Sequence, residues 1–185
     1  DYAVLTASTG LEALELLDRA RKLDPLEPGH DVTKALFLWL ERADLQGANA
    51  LLVDVVKRNP RYQPAFARLG DVHMLTGQLA KSIRHNERAL ALDPSLEMAR
   101  RNLISSYVDL GDLVAARQLV DDEGFDVSPR QLQVLLREGA WQQAGEVAYA
   151  SLAAGSVSST IETAMNVAAI RMHARTTGDF ARAQA

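Results

Sequence analysis

The sequence contains no cysteine. Disulfides, thiolate zinc sites and cysteine nucleophiles are therefore excluded, and the redox compartment stays undecided. Aromatic residues are scarce, at 5%, and Val and Ile rarely alternate with polar residues, so strands are not suggested. No apolar run approaches about 18 residues, and nothing reads as a membrane-spanning helix. Charge of one sign is also missing. The formal net charge is -4, which argues against general binding to nucleic acid or a membrane surface. Catalytic signatures are absent too. There is no GxxxxGK[ST], no GxGxxG after a strand, no GxSxG and no HExxH. The four histidines, His30, His73, His85 and His173, are never four residues apart, so no metal ligand set is visible. No cofactor is expected, and no catalytic residue.

What the chain does contain is Ala- and Leu-rich helical periodicity, punctuated by six prolines. Residues 1–8 read as the end of a helix. After a turn at Thr9-Gly10, residues 11–23 carry a broad apolar face that stops at Asp24-Pro25. Asp31 is expected to cap a helix over 32–42. Ala43-Asp44 turns the chain into a helix over 45–57, closed by Asn59-Pro60. Residues 63–96 form two short helices around Thr76-Gly77-Gln78, ending at Asp93-Pro94. Helices over 97–110 and 113–122 follow, with a turn at Gly111-Asp112.

These landmarks repeat. Pro60 and Pro94 are 34 apart, as are Leu69 and Leu103, Gly77 and Gly111, and Leu79 and Leu113, while Ala43 lies 34 before Gly77. Turn, core and stop positions that coincide at one period mark a repeat architecture.

At these residues the chain resembles the tetratricopeptide repeat (TPR) family. Phe66, Leu69, Gly70 and His73 follow the pattern of the first helix, and Ala80, Ile83, Ala89, Leu90, Leu92 and Pro94 that of the second. Ala99, Leu103, Tyr107, Gly111, Leu113 and Ala116 repeat it downstream. Ala35, Trp39, Leu45, Ala48, Leu52 and Pro60 repeat it upstream. The resemblance implies an all-α fold, an α-solenoid of stacked antiparallel helix hairpins forming a right-handed superhelix. It covers residues 1–185 as one array, with approximate units 1–28 (partial), 29–62, 63–96, 97–124, 125–156 and 157–185 (partial). A rival resemblance of residues 1–19 and 50–56 to a receiver domain fails, because Asp54 lies too far along and no acidic pair precedes it.

The last third is less regular. Gly111 to Gly139 is 28 residues and Gly139 to Gly178 is 39, which reads as a displaced boundary. Residues 123–131 are expected to be a loop, followed by helices over 131–137, 141–154 and 158–176.

The resemblance further implies a concave groove lined by the first helices. The candidates are Thr33, Lys34, Phe37 and Glu41, then Ala67, Arg68, Asp71 and Met74, then Met98, Arg101, Asn102 and Ser105, with Arg130, Gln133 and Arg137 extending the row. Arginine and amide groups suit carboxylates or peptide carbonyls. Phe37, Met74 and Met98 suit apolar side chains. The competing reading is a set of solvated residues on exposed helix faces. His73 occupies an aromatic position and is expected to be packed. Some TPR domains hold a chaperone's C-terminal carboxylate with Lys, Asn and Arg. Here Ala67, Asp71, Asn102, Asp126 and Arg130 stand at the matching places, and only Asn102 and Arg130 fit. The register starting at 29 offers Thr33, Phe37, Arg68, Met98 and Asn102 and fits worse.

The expected function is a non-enzymatic scaffold that binds a protein or peptide, a segment of a partner or a partner helix, in the groove. No nucleic acid and no membrane insertion are expected. The alternative is a regulatory or sensing module of a larger bacterial transcription regulator, signalling enzyme or transferase. Self-association is compatible with both. The first residue is Asp1 rather than Met, which leaves the natural start open, and cytoplasm is the default compartment.

Overall fold

The structure, a computed structural model, describes residues 10–120, 128–155 and 160–178. Ten helices lie among them: α1 (Gly10–Leu23), α2 (Gly29–Arg42), α3 (Leu45–Arg58), α4 (Gln63–Leu75), α5 (Leu79–Leu92), α6 (Glu97–Leu110), α7 (Leu113–Val120), α8 (Ser128–Glu138), α9 (Trp141–Ala153) and α10 (Thr160–Thr177). They pack as consecutive antiparallel pairs, and the helix contacts described run between elements one or two apart in sequence.

The turns carry one backbone solution. Ala43, Gly77, Gly111, Gly139 and Gly178 all have left-handed φ, at 53°, 71°, 86°, 73° and 78°. A left-handed residue after the last helical turn lets the next amide bond back into the helix. Gln78 N–H donates to the His73 carbonyl at 2.8 Å, Asp112 to Tyr107 at 2.9 Å and Ala140 to Leu135 at 3.0 Å, each five residues back. Two of the following helices are capped from the turn itself. Asp44 accepts from Gly47 N–H at 2.8 Å and Asp112 from Ala115 N–H at 3.1 Å. The stops are aspartate turns as well. Asp93 accepts from the Ser95 N–H and hydroxyl, and Asp24 from Leu26 N–H, a local bond that competes with helix continuation before proline.

The chain divides into two compact units, Asp1–Asn102 and Leu103–Ala185. In the first, Val32 and Ala35 of α2, Ala48, Leu52 and Val55 of α3, and Ala65, Leu69 and Val72 of α4 form a buried cluster flanked by Trp39 and Tyr62. A second cluster, Ala67, Ala89 and Ala99, brings α4, α5 and the start of α6 together over small side chains, with Phe66, Leu90 and Met98 against it. Gly70 faces Asn86 across the α4–α5 seam so closely that a Cβ would overlap the Asn86 amide. In the second unit, Ile104 and Val108 of α6 pack on Ala116 and Val120 of α7 and Val134 of α8. Leu132 and Leu135 of α8 then join Ala144 and Ala148 of α9 and Ala169 and Ile170 of α10.

Two expectations need correction. Asp31 is not the cap of α2, which starts two residues earlier. The Glu27 carboxylate accepts from Gly29 N–H at 2.8 Å instead, and Asp31, 2% exposed, lies inside the first turn. The loop assigned to 123–131 is shorter at its end, since residues 128–131 belong to α8. Serine followed by proline in the first turn is a favourable helix start. Residues 121–127, including Asp126, and 158–159 lie outside the described residues.

Candidate functional site

Lys34 and Phe37 on α2, Arg68, Asp71 and Met74 on α4, and Met98, Arg101 and Asn102 on α6 all fall in the first unit. Arg130 and Arg137 fall on α8 in the second. The exposure of these side chains differs widely. Phe37 and Met74 are half-buried, and Arg101 and Arg137 are exposed. Ala67 and Ser105 are buried. Met98 is half-buried against the alanine cluster of α4, α5 and α6.

Asp71 and Asn102 are also buried, and they meet. The Asn102 amide donates to Asp71 Oδ1 at 2.6 Å, and Arg68 donates to Asp71 Oδ2 at 3.1 Å. Behind them the chain of polar groups continues inward. The same Asn102 nitrogen lies 3.4 Å from Asn86 Oδ1, and the Asn86 amide donates to the Ser82 carbonyl at 3.0 Å and hydroxyl at 3.3 Å. Ser82 and Asn86 are four apart on α5 and so share one face. A buried polar chain that is satisfied link by link fixes its members in one geometry. Burial pushes the Asp71 carboxyl above its ordinary value, while Arg68, Asn102 and the charge of Arg101 act against that rise. Two arginines on neighbouring first helices therefore flank one buried carboxylate. Their side chains keep 30% and 47% of their surface exposed.

The other cations have partners too. Lys34 pairs with Asp18 of α1 at 2.5 Å, Arg101 with Glu97 at 3.4 Å, and Arg137 with Asp109 at 4.0 Å. Arg130 donates to Gln133 at 3.3 Å. These exposed pairs are weak and exchange readily for a ligand. Arg68 differs, because its partner is buried and fixed from behind.

Three arrangements escape a reading by sequence period. Asp31 pairs with Arg58 of α3 at 2.5 Å and Arg21 of α1 at 3.2 Å. His73 is packed, as its aromatic position implies, but it stacks on His85 at 5.1 Å with the rings 12° apart. Asn86 fills the space opposite Gly70. Only the last leaves a local sequence signal, a polar pair at positions 82 and 86 within an otherwise buried face. Among the described residues no group of three His, Asp or Glu could hold a metal ion, and no helix is long and apolar enough to cross a membrane.

No family model matches the sequence, and no curated protein matches it. Among solved structures the chain is similar to a tetratricopeptide repeat protein from Parabacteroides merdae ATCC 43184, with a TM-score of 0.74 at 14% identity over 99% of this chain and 73% of that one. It is similar to PilW, described as a widely conserved type IV pilus biogenesis factor, with a TM-score of 0.65 at 20% identity over 83% of this chain and 74% of that one. A third likeness is to a structure of Naa15/Naa10 bound to HypK-THB, with a TM-score of 0.55 at 16% identity, covering 94% of this chain and 27% of that one. These likenesses show the fold.

Proposed function

We propose that this chain of tetratricopeptide-repeat fold is a non-enzymatic protein-interaction module, whose first unit takes a segment of a partner protein against α4 and the start of α6. Arg68 carries the reading. Its guanidinium is oriented by a buried carboxylate that Asn102, Asn86 and Ser82 support in turn, which leaves its other donors available to an incoming carboxylate or carbonyl. Arg101 adds a second cation beside it, and Lys34, Phe37, Met74 and Met98 supply charge and adaptable apolar surface on the same row. Arg130 and Arg137, on α8 of the second unit, offer donors of the same kind there. The partner is a peptide segment with acidic and apolar side chains. The solved structures of this fold support a protein partner, one of them being a complex by its description.

The test is affinity capture from a lysate with the chain as bait, beside an Arg68→Glu/Arg101→Glu variant checked for folding by circular dichroism. Proteins retained by the parent and lost by the folded variant are the expected result. Equal retention by both overturns the assignment of these arginines.

A further inference from the structure

A second charged feature lies on a different side of the α4–α5 pair. Along their seam, Phe66, His85 and His73 form a row of rings, with centroids 6.3 Å apart between Phe66 and His85 and 5.1 Å between His85 and His73. Lys81, Arg84 and Arg88, all exposed on α5, run beside that row at positions i, i+3 and i+7, which places them on one helix face. Arg88 lies over the Phe66 ring at 5.9 Å. Lys81 donates to the Gln78 amide oxygen at 2.6 Å. Among the described residues no carboxylate pairs with these three cations, in a chain whose net charge is -4. The acidic residue of α5 is Glu87, three positions from Arg84 and so on the flank of the ridge, where one carboxylate stands against three cations.

The two imidazoles record the same local field. Burial, then the charges of Lys81 and Arg84, hold His73 below its ordinary value. Burial, then His73, Arg84 and Lys81, bring His85 down to about 4. No carboxylate acts on either ring. α3, on the other side of α4, directs Arg58 to Asp31 and Asp54.

We propose that the Lys81–Arg84–Arg88 ridge, with the histidine pair beside it, is a docking site for an acidic segment of a partner protein, separate from the Arg68–Arg101 face. The ridge is about 10 Å long at 1.5 Å per residue, a span matched by roughly three residues of extended chain or two turns of an acidic helix. An acidic segment is favoured over nucleic acid because the ring faces are closed within the seam. His73 is buried and stacked on His85, so neither offers a platform for a base. By linkage, an anion that binds beside the imidazoles favours their protonated forms.

The experiment is an NMR titration of the full chain with a hexa-aspartate peptide, following the ring signals of His73 and His85 and the backbone amides. The expected result is binding that shifts the amides of α5, moves the His85 midpoint upward from about 4, and weakens about ten-fold in a Lys81→Glu/Arg84→Glu variant. Lys81→Gln/Arg84→Gln serves as a milder second variant and is expected to fall between the two. Absence of binding overturns the proposal. So do shifts confined to the surroundings of Arg68 and Arg101 with unmoved histidines, which assign the anion to the other face, and affinity unchanged by either variant.

Discussion

Arg58, near the end of α3, reaches across 27 positions to place a guanidinium nitrogen 2.5 Å from the buried carboxylate of Asp31 in the first turn of α2. Arg21 of α1 approaches the other carboxylate oxygen at 3.2 Å, so one aspartate ties three successive helices. The two ends of this contact are unequal, since Asp31 is 3% exposed in its side chain and Arg58 36%. Removing Arg58 leaves the buried charge with Arg21 alone, whereas removing Asp31 leaves arginines that water can reach. Arg58→Ala is therefore expected to destabilise the first unit by about 3 kcal/mol and Asp31→Asn by about 1–2 kcal/mol, measured as shifts in the urea unfolding transition. Equal effects would contradict the asymmetry.

Ala43 occupies the left-handed turn position that glycine fills at Gly77 and Gly111. A Cβ in that conformation costs roughly 1 kcal/mol or more. Ala43→Gly is expected to stabilise the chain by about 0.5–1 kcal/mol and Gly77→Ala to destabilise it by a similar amount. Thermal unfolding of both variants beside the parent gives the two signs.

Gly70 lacks a side chain where the Asn86 amide sits. Gly70→Ala is expected to cost about 2–3 kcal/mol through overpacking. In the double variant with Asn86→Ala, the clash disappears and the total loss falls below the sum of the single losses. A double-mutant cycle by chemical denaturation measures that coupling.

The stacked histidines give stability a pH dependence of definite sign. His85 sits at about 4 in the folded chain, below the ordinary imidazole value of 6.5, and His73 is lowered as well. Between those limits the unfolded chain takes up protons that the folded chain does not. Stability is complete above the upper value, falls as pH drops, and levels off below the lower one. A loss on the order of 1–2 kcal/mol is expected between pH 7 and 5, read from urea midpoints. His85→Phe keeps the ring and should flatten the slope.

The helix pairs are legible in the sequence because their signals are local. The turn residues at 43, 77 and 111 and the Asp-Pro and Asn-Pro stops each act within a few residues of themselves, and the observed helix boundaries fall within a residue or two of them over most of the first 110 positions. Asp31 shows where such reading ends. Before a helix an aspartate is a cap by statistics, and only the positions of Arg21 and Arg58 in space make it a buried tie. The proposed contact residues are legible in register but not in exposure. Period places Asp71, Asn102 and Arg68 on the first helices, while their burial and mutual bonds depend on Asn86 and Ser82 of another helix. His85 shows no periodic anomaly at all, since its role comes from the ring opposite.

The helix contacts described run between elements one or two apart in sequence, so few of them require distant parts of the chain to find one another. Loop closure within the described pairs is short, and contacts of this low order are expected to form fast. A helix pair such as α4–α5 can form once its own residues are present, and each later pair finds a finished surface to settle on. During synthesis each such pair is expected to close as it leaves the ribosome, before the residues that follow it have been made.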